Sequence, residues 1–144
     1  MQYRISDIAR IIGAERHGCL DAQINWLLID SRSLCFPEET LFFALKTQKN
    51  DGHKYIEELY RRGVRNFVIE EGNHNIGLNA NKHNDANYLV VRNSLTALQA
   101  LSAYHRSQLD IPVIAITGSN GKTTVKEWLY QLLSTDYNVC RSPR

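Results

Sequence analysis

Apolar residues recur at helical spacing at Ile5, Ile8, Ala9 and Ile12. That spacing predicts a short opening helix, with Ser6 placed to cap its start and Gly13 suited to a left-handed stop. Two short runs, residues 24–30 and 40–45, are apolar and rich in aromatic or β-branched side chains, with Pro37 in the link between them. Both read as strands. Tyr55, Ile56, Leu59 and Tyr60 return to helical spacing over residues 54–62. Gly63 then ends that helix, and Val64 to Ile69 read as a strand, which makes a β-α-β unit. Residues 71–86 are rich in Asn and nearly devoid of apolar side chains, the composition of a surface loop. Its His74 and His83 have no third ligand pattern beside them and are not expected to bind metal. Tyr88 to Val91 predict a further strand. Asn93 or Ser94 then caps a helix reaching about Gln108, with Leu95, Leu98, Leu101 and Tyr104 on one face.

The Asp110-Ile111-Pro112 step disfavours helix, and a new apolar run begins at once. A domain edge is expected there, between residues 1–110 and 111–144. Val113 to Ile116 read as a strand, residues 117–121 as a glycine-bearing turn, and residues 122–134 as a helix with Val125, Trp128, Leu129, Leu132 and Leu133 on one face. Tyr137 to Cys140 suggest a second short strand. One β-α unit cannot cover both faces of a parallel sheet, so residues 111–144 read as the opening of a larger domain and the chain as a piece of a longer protein. The fold class is α/β.

With 144 residues, 43% of them apolar, the chain can bury one ordinary core. The net charge of +2 contains no long block of one sign, which argues against a nucleic-acid tail or a polybasic membrane patch. The apolar runs are too short for membrane insertion, and the first residues do not form a secretory signal, so a soluble cytoplasmic protein is expected. Cys19, Cys35 and Cys140 form no Cys-x-x-Cys and are expected to be reduced packing residues. The residues do not fix an oligomeric state.

Two clusters carry candidate chemistry. In the first, Thr117, Gly118, Ser119, Asn120, Gly121, Lys122, Thr123 and Thr124 join an apolar run to an amphipathic helix. Gly118 and Gly121 permit close approach of the backbone to a ligand, and the unpaired N–H groups of the helix start favour an anion. Lys122 is placed to reach β and γ phosphates, and the Thr123 hydroxyl to ligate Mg²⁺, so ATP or GTP with Mg²⁺ is the natural ligand. Ile116 stands where the common phosphate loop has its first glycine. A Rossmann Gly-x-Gly-x-x-Gly is absent, and no second acidic magnesium motif of a kinase or GTPase follows.

The second cluster is Asp30, Ser31 and Arg32 at the end of one predicted strand, with Lys46, Thr47, Gln48, Asn50, Asp51, Gly52 and His53 after the next. Arg32 offers a planar fork suited to phosphate, and Ser31 can bond a ligand carbonyl or amide. The two strand ends could converge on one anionic ligand. Equally, Asp30 and Arg32 could pair with each other while Asp51-Gly52 shapes the turn. His53 beside Gly52 suits a turn or cap better than a catalyst.

The phosphate loop resembles that of the Mur ligases, cytoplasmic amide-forming enzymes of peptidoglycan precursor synthesis, in which the loop without its first glycine is usual. Val125-Lys126-Glu127 is similar to the MurF type. Asp30-Ser31-Arg32, Leu41-Phe42-Phe43-Ala44-Leu45-Lys46 and Asn50-Asp51-Gly52-His53 resemble the amino-terminal module shared by the MurE and MurF types. The resemblance implies that this module is a small substrate domain holding the uridine diphosphate end of the substrate. It is followed by the first strand, loop and helix of a parallel-sheet ATPase domain. It further implies ATP and Mg²⁺ as cofactors, with Lys122 in the catalytic role and Thr123 toward the metal. UDP-N-acetylmuramoyl-tripeptide and D-alanyl-D-alanine are the implied substrates, joined through an acyl phosphate. A MurE-type ligase adding the third amino acid, or a non-catalytic nucleotide-sugar binding module, are the alternatives. In some bacteria the MurF type is fused to an alanine racemase, on which these residues are silent. Thr47 stands where these modules usually have glycine. The family's central-domain glutamate and histidine, its usually carbamylated lysine, its adenine-binding segment and its carboxy-terminal domain have no counterpart among these residues, so the chain alone is expected to be inactive.

Overall fold

The computed structural model describes every residue except Met1, Cys19, Lys49, residues 73–82 and Arg144. His74 and Cys19 therefore lie outside the described residues. The chain divides into two compact units, Met1–Leu109 and Asp110–Arg144.

In the first unit, strand β1 (Tyr3–Arg4) leads into helix α1 (Ile5–Ile12). The expected Ser6 cap does not form. The orphan N–H groups of the first turn are satisfied from the segment before β3 (Gln23–Ile24): Ile5 N–H donates to the Ala22 carbonyl (2.9 Å) and Ser6 N–H to Asp21 Oδ1 (3.1 Å). Gly13 closes the helix at φ 65°, the left-handed stop that its sequence position predicts.

The remaining strands are β2 (Glu15–His17), β4 (Trp26–Leu28), β5 (Thr40–Phe43), β6 (Asn66–Glu70) and β7 (Asn87–Val91). They form one sheet in the order β2-β7-β6-β5-β4, parallel throughout except for β2. The expected strand over 24–30 is broken at Asn25, whose N–H turns to the Glu39 carbonyl (3.0 Å). The β-α-β unit is present as β5, helix α2 (Ile56–Arg61) and β6, with a 3-10 turn at Gly52–Tyr55 in place of the first turn expected for α2.

Side chains alternate faces along each strand. Leu41, Phe43, Val68, Leu89 and Val91 pack with α1 and with Ala97 and Leu101 of helix α3 (Ser94–Ser107). Phe42, Phe67, Ile69 and Tyr88 pack on the other face with Ile56 and Leu59 of α2. Both faces are thus covered, as a parallel sheet requires. In α3 the expected apolar face is rotated: Leu95 is half exposed, while Ser94, Ala97 and Leu101 are buried. Asn93 caps this helix by accepting from Thr96 N–H (2.8 Å).

The loop expected over residues 71–86 is not all surface. His83 and Ala86 are buried, and the His83 ring stacks on Tyr60 with centroids 3.5 Å apart while Nδ1 meets the Tyr88 hydroxyl at 3.0 Å. Its Nε2 lies 3.4 Å from Glu57. An aromatic platform and a carboxylate thus draw this part of the expected surface loop into the core. Cys35 and Cys140, expected to pack, are free thiols and exposed.

In the second unit, helix α4 (Lys122–Leu133) forms as its pattern predicts. Residues 113–116 form no ladder among the described residues, and Val113 and Ile114 are exposed. A strand needs a neighbour's donors and acceptors, and no strand is found among the unit's described residues. For the same reason Val125, Trp128 and Leu132 of α4 stand exposed. Tyr137 to Cys140 are not a strand. Tyr137 N–H bonds the Leu133 carbonyl (2.9 Å) and winds the helix down. Among the described residues no helix is long and apolar enough to cross a membrane.

Candidate functional site

Because β4 and β5 are parallel neighbours, the segments after them leave the same edge of the sheet, where α/β sheets commonly bind ligands. Asp30 and the 46–53 turn both lie at that edge. Asp30 accepts the Arg32 backbone N–H at 3.0 Å and opens a 3-10 turn, Ser31–Ser33. The Arg32 guanidinium lies against the same carboxylate, Nε to Oδ1 at 3.0 Å and Nη2 to Oδ2 at 2.6 Å. Of the two readings that the sequence left open, this geometry displays the internal pair. The Arg32 side chain nonetheless remains 87% exposed, so it faces solvent while holding the pair. Ser31 is buried, and its carbonyl is held by Arg62 Nη1 at 2.8 Å.

Hydrogen bonds from the Arg32 side chain, followed by its backbone N–H, hold the Asp30 carboxyl down at about 2. The depressed value means that the pair's contribution is complete above the ordinary carboxylate range, near pH 4, and is lost as pH falls toward 2. In a carbon-detected NMR titration, Asp30 is expected to protonate at about 2 in the parent and closer to 4 in Arg32→Ala. Equal midpoints in the two proteins would show that the pair does not persist in solution.

The 46–53 turn is closed at several levels. Lys46 pairs with Asp51 across an isolated bridge, and Thr47 N–H donates to the Asn50 carbonyl at 2.8 Å. The Thr47 hydroxyl accepts Asn50 N–H at 3.0 Å. No non-glycine among the described residues has positive φ, so threonine at 47 builds the turn without backbone strain. Gly52 is different. Its N–H bonds the Leu45 carbonyl at 2.8 Å, and a Cβ there would stand 2.8 Å from the Leu45 nitrogen, so only glycine fits. His53 is buried, with Nδ1 2.6 Å from Asp51 Oδ1 and Nε2 accepting the Glu70 N–H at 3.0 Å. Burial raises the Asp51 carboxyl, but the backbone and ring hydrogen bonds from His53 outweigh it and hold the group below its ordinary value. Lys46, Thr47, Gln48 and Asn50 thus make the outer surface of the turn, while Gly52 and His53 stand behind it. The sequence gives no sign of Arg62 or Glu70, whose roles depend on neighbours far along the chain.

In the second unit, Thr117 to Thr124 are all exposed. Gly121 caps α4 in the left-handed region at φ 76°, and Gly118 has φ 145°, both conformations that favour glycine. The helix's first intrahelical bond is Val125 N–H to the Gly121 carbonyl (2.9 Å), which leaves the N–H groups of Lys122 to Thr124 without partners inside the helix. Lys122 Nζ folds back onto the Gly118 carbonyl and lies 3.5 Å from that of Ser119. A cation resting on loop carbonyls beside free backbone donors is a set that fits a nucleotide phosphate, and the Thr123 hydroxyl supplies one hard oxygen of the kind Mg²⁺ takes beside phosphate and water. Beyond the loop, Lys126 Nζ donates to the Ser142 carbonyl at 3.0 Å, and Glu127 pairs with Arg141, whose guanidinium covers Tyr130. These bonds tie the last residues back onto α4.

The Mur ligase middle domain family matches residues 116–144. The UDP-N-acetylmuramoyl-tripeptide–D-alanyl-D-alanine ligase of Bacillus subtilis is 34% identical over 81% of this chain and 24% of its own length. A UDP-N-acetylmuramoyl-L-alanyl-D-glutamate–2,6-diaminopimelate ligase of Clostridium tetani is 34% identical over 75% of this chain and 21% of its own. Among solved structures, MurF from Acinetobacter baumannii superposes with a TM-score of 0.78 and 28% identity, covering 94% of this chain and 28% of that one. The chain therefore spans about a quarter of the length of the relatives it matches.

Proposed function

The chain belongs to the Mur ligase family, and from that premise we propose that it is the substrate-binding part, with the start of the ATP site, of a MurF-type ligase. In the whole enzyme, ATP activates the terminal carboxylate of UDP-N-acetylmuramoyl-tripeptide as an acyl phosphate, and the amine of D-alanyl-D-alanine displaces phosphate to form the amide. Similarity to the Bacillus subtilis ligase and to the Acinetobacter baumannii MurF structure supports the MurF type. The Clostridium tetani relative keeps the MurE type as the second reading.

The observation that carries the proposal is the presence of two phosphate-suited donor sets on two separate compact units. On the first, Arg32, Lys46, Thr47, Gln48 and Asn50 stand at the carboxyl edge of the parallel sheet and bind the uridine diphosphate. On the second, the backbone of residues 117–124 cradles the ATP phosphates and Lys122 turns from its loop carbonyls to them. Thr123 would hold Mg²⁺, which offsets charge on the transferring phosphoryl group when bound. Amide NMR shifts map both sites on one sample. Adding UDP should move residues 30–32 and 46–53, and adding ATP with magnesium should move residues 117–124. Shifts at a single shared cluster, or none, would sink the two-site reading.

A further inference from the structure

Behind the exposed face of the 46–52 turn sits an imidazole with both ring nitrogens committed. His53 is 3% exposed at its side chain, whereas its partner Asp51 is 43% exposed. Nε2 can accept the Glu70 backbone N–H (3.0 Å) only while it carries no proton. The ring proton therefore sits on Nδ1 and is donated to Asp51 Oδ1 (2.6 Å), which also accepts His53 N–H (3.0 Å). One ring thus joins the turn to strand β6. The link continues, because the Glu70 carboxylate accepts both the N–H and the hydroxyl of Ser94, each at 2.8 Å, at the first residue of α3. The turn, a central strand and a helix start are fixed by one chain of bonds.

We infer that His53 is a positioning residue for the uridine diphosphate site, setting the placement of residues 46–48 and 50–52 through Asp51 and Glu70 without touching the ligand itself. The inference rests on the reading of that turn as a substrate contact given above. A ring shut off from solvent cannot meet a ligand at the edge, yet it decides where Thr47, Gln48 and Asn50 stand. Gly52, pressed against Leu45, leaves the turn no slack to recover that placement by itself. Protonation of Nε2 would set two donors face to face at Glu70, so the neutral Nδ1–H tautomer is the one that the site requires.

The test combines ring nitrogen-15 NMR with UDP calorimetry on the 144-residue chain, comparing the parent with His53→Ala, His53→Gln and, as a control for lost stability, Leu101→Ala. The parent ring should show the Nδ1–H tautomer, unchanged by UDP. His53→Ala should weaken UDP about tenfold or more at a temperature where it is folded, the scale of lost buried hydrogen bonds. Glutamine, which can restore one of the two bonds, should recover part of that loss. Leu101→Ala removes a buried side chain of α3 and should lower the melting temperature while leaving UDP affinity within about twofold. Movement of the ring nitrogens on adding UDP would make His53 a contact and overturn the inference. So would equal affinity losses in Leu101→Ala and His53→Ala, or an unaffected His53→Ala. If the parent binds no UDP, the reading of the turn fails first and the inference falls with it.

Discussion

Replacing Phe67 with alanine is expected to destabilise the Met1–Leu109 unit by about 3–5 kcal/mol, the range for a large aromatic removed from a packed core. Phe67 is fully buried in β6. Its ring stacks on Tyr88 of β7 at 5.4 Å and meets Phe42 of β5 edge-on at 6.5 Å. It is therefore the middle of an aromatic row that crosses three parallel strands. Truncation removes the transfer energy of the ring, both aromatic contacts and the support under α2, and β-strands fixed on both edges cannot collapse into the gap. Since small domains are stable by only about 5–15 kcal/mol, much of the margin would go. Urea denaturation followed by circular dichroism measures the change, and a loss under about 2 kcal/mol would show that the sheet is far more pliant than its packing implies.

Arg32→Ala is expected to weaken UDP binding by about 1.5–3 kcal/mol, or roughly tenfold to a hundredfold. The guanidinium is not a core element. Asp30 holds it by two bonds at 3.0 and 2.6 Å, so its fork is ordered before a ligand arrives while most of its surface stays open. Preorganisation lowers the entropy lost on binding, and a diphosphate can take the outer N–H groups without breaking the inner pair. Folding stability should hardly change, because an exposed ion pair contributes little to it. The substitution therefore separates binding from folding, where Phe67→Ala cannot.

Much of this was legible in the sequence, for identifiable reasons. The run from Leu41 to Leu45 is apolar at every position because β5 is buried on both faces, and continuous apolar runs of that length read as buried strands. Gly13 and Asn93 act where their intrinsic conformations or side chains place them, since caps are local devices. What the sequence hid is tertiary. Ser6 loses its cap to Asp21, and Leu95 gives up its expected burial to Ala97 because α3 must bring a small residue over the sheet. His83 is buried by rings at positions 60 and 88 that no local pattern announces. In the site, the Asp30–Arg32 pairing was open between two readings, and only the geometry shows that one guanidinium can serve the internal pair and still face outward. The strand expected at 113–116 fails for the converse reason: its residue pattern is right, but a ladder is a property of two segments.

Whether the first unit holds uridine diphosphate by donors distinct from the nucleotide loop of the second is decided by one calorimetric comparison. UDP is titrated into the 144-residue chain, into Arg32→Ala and into Lys122→Ala. Measurable binding by the parent is expected, with the loss stated above for Arg32→Ala and almost none for Lys122→Ala. Equal losses in the two variants, or no binding by the parent, would contradict that expectation.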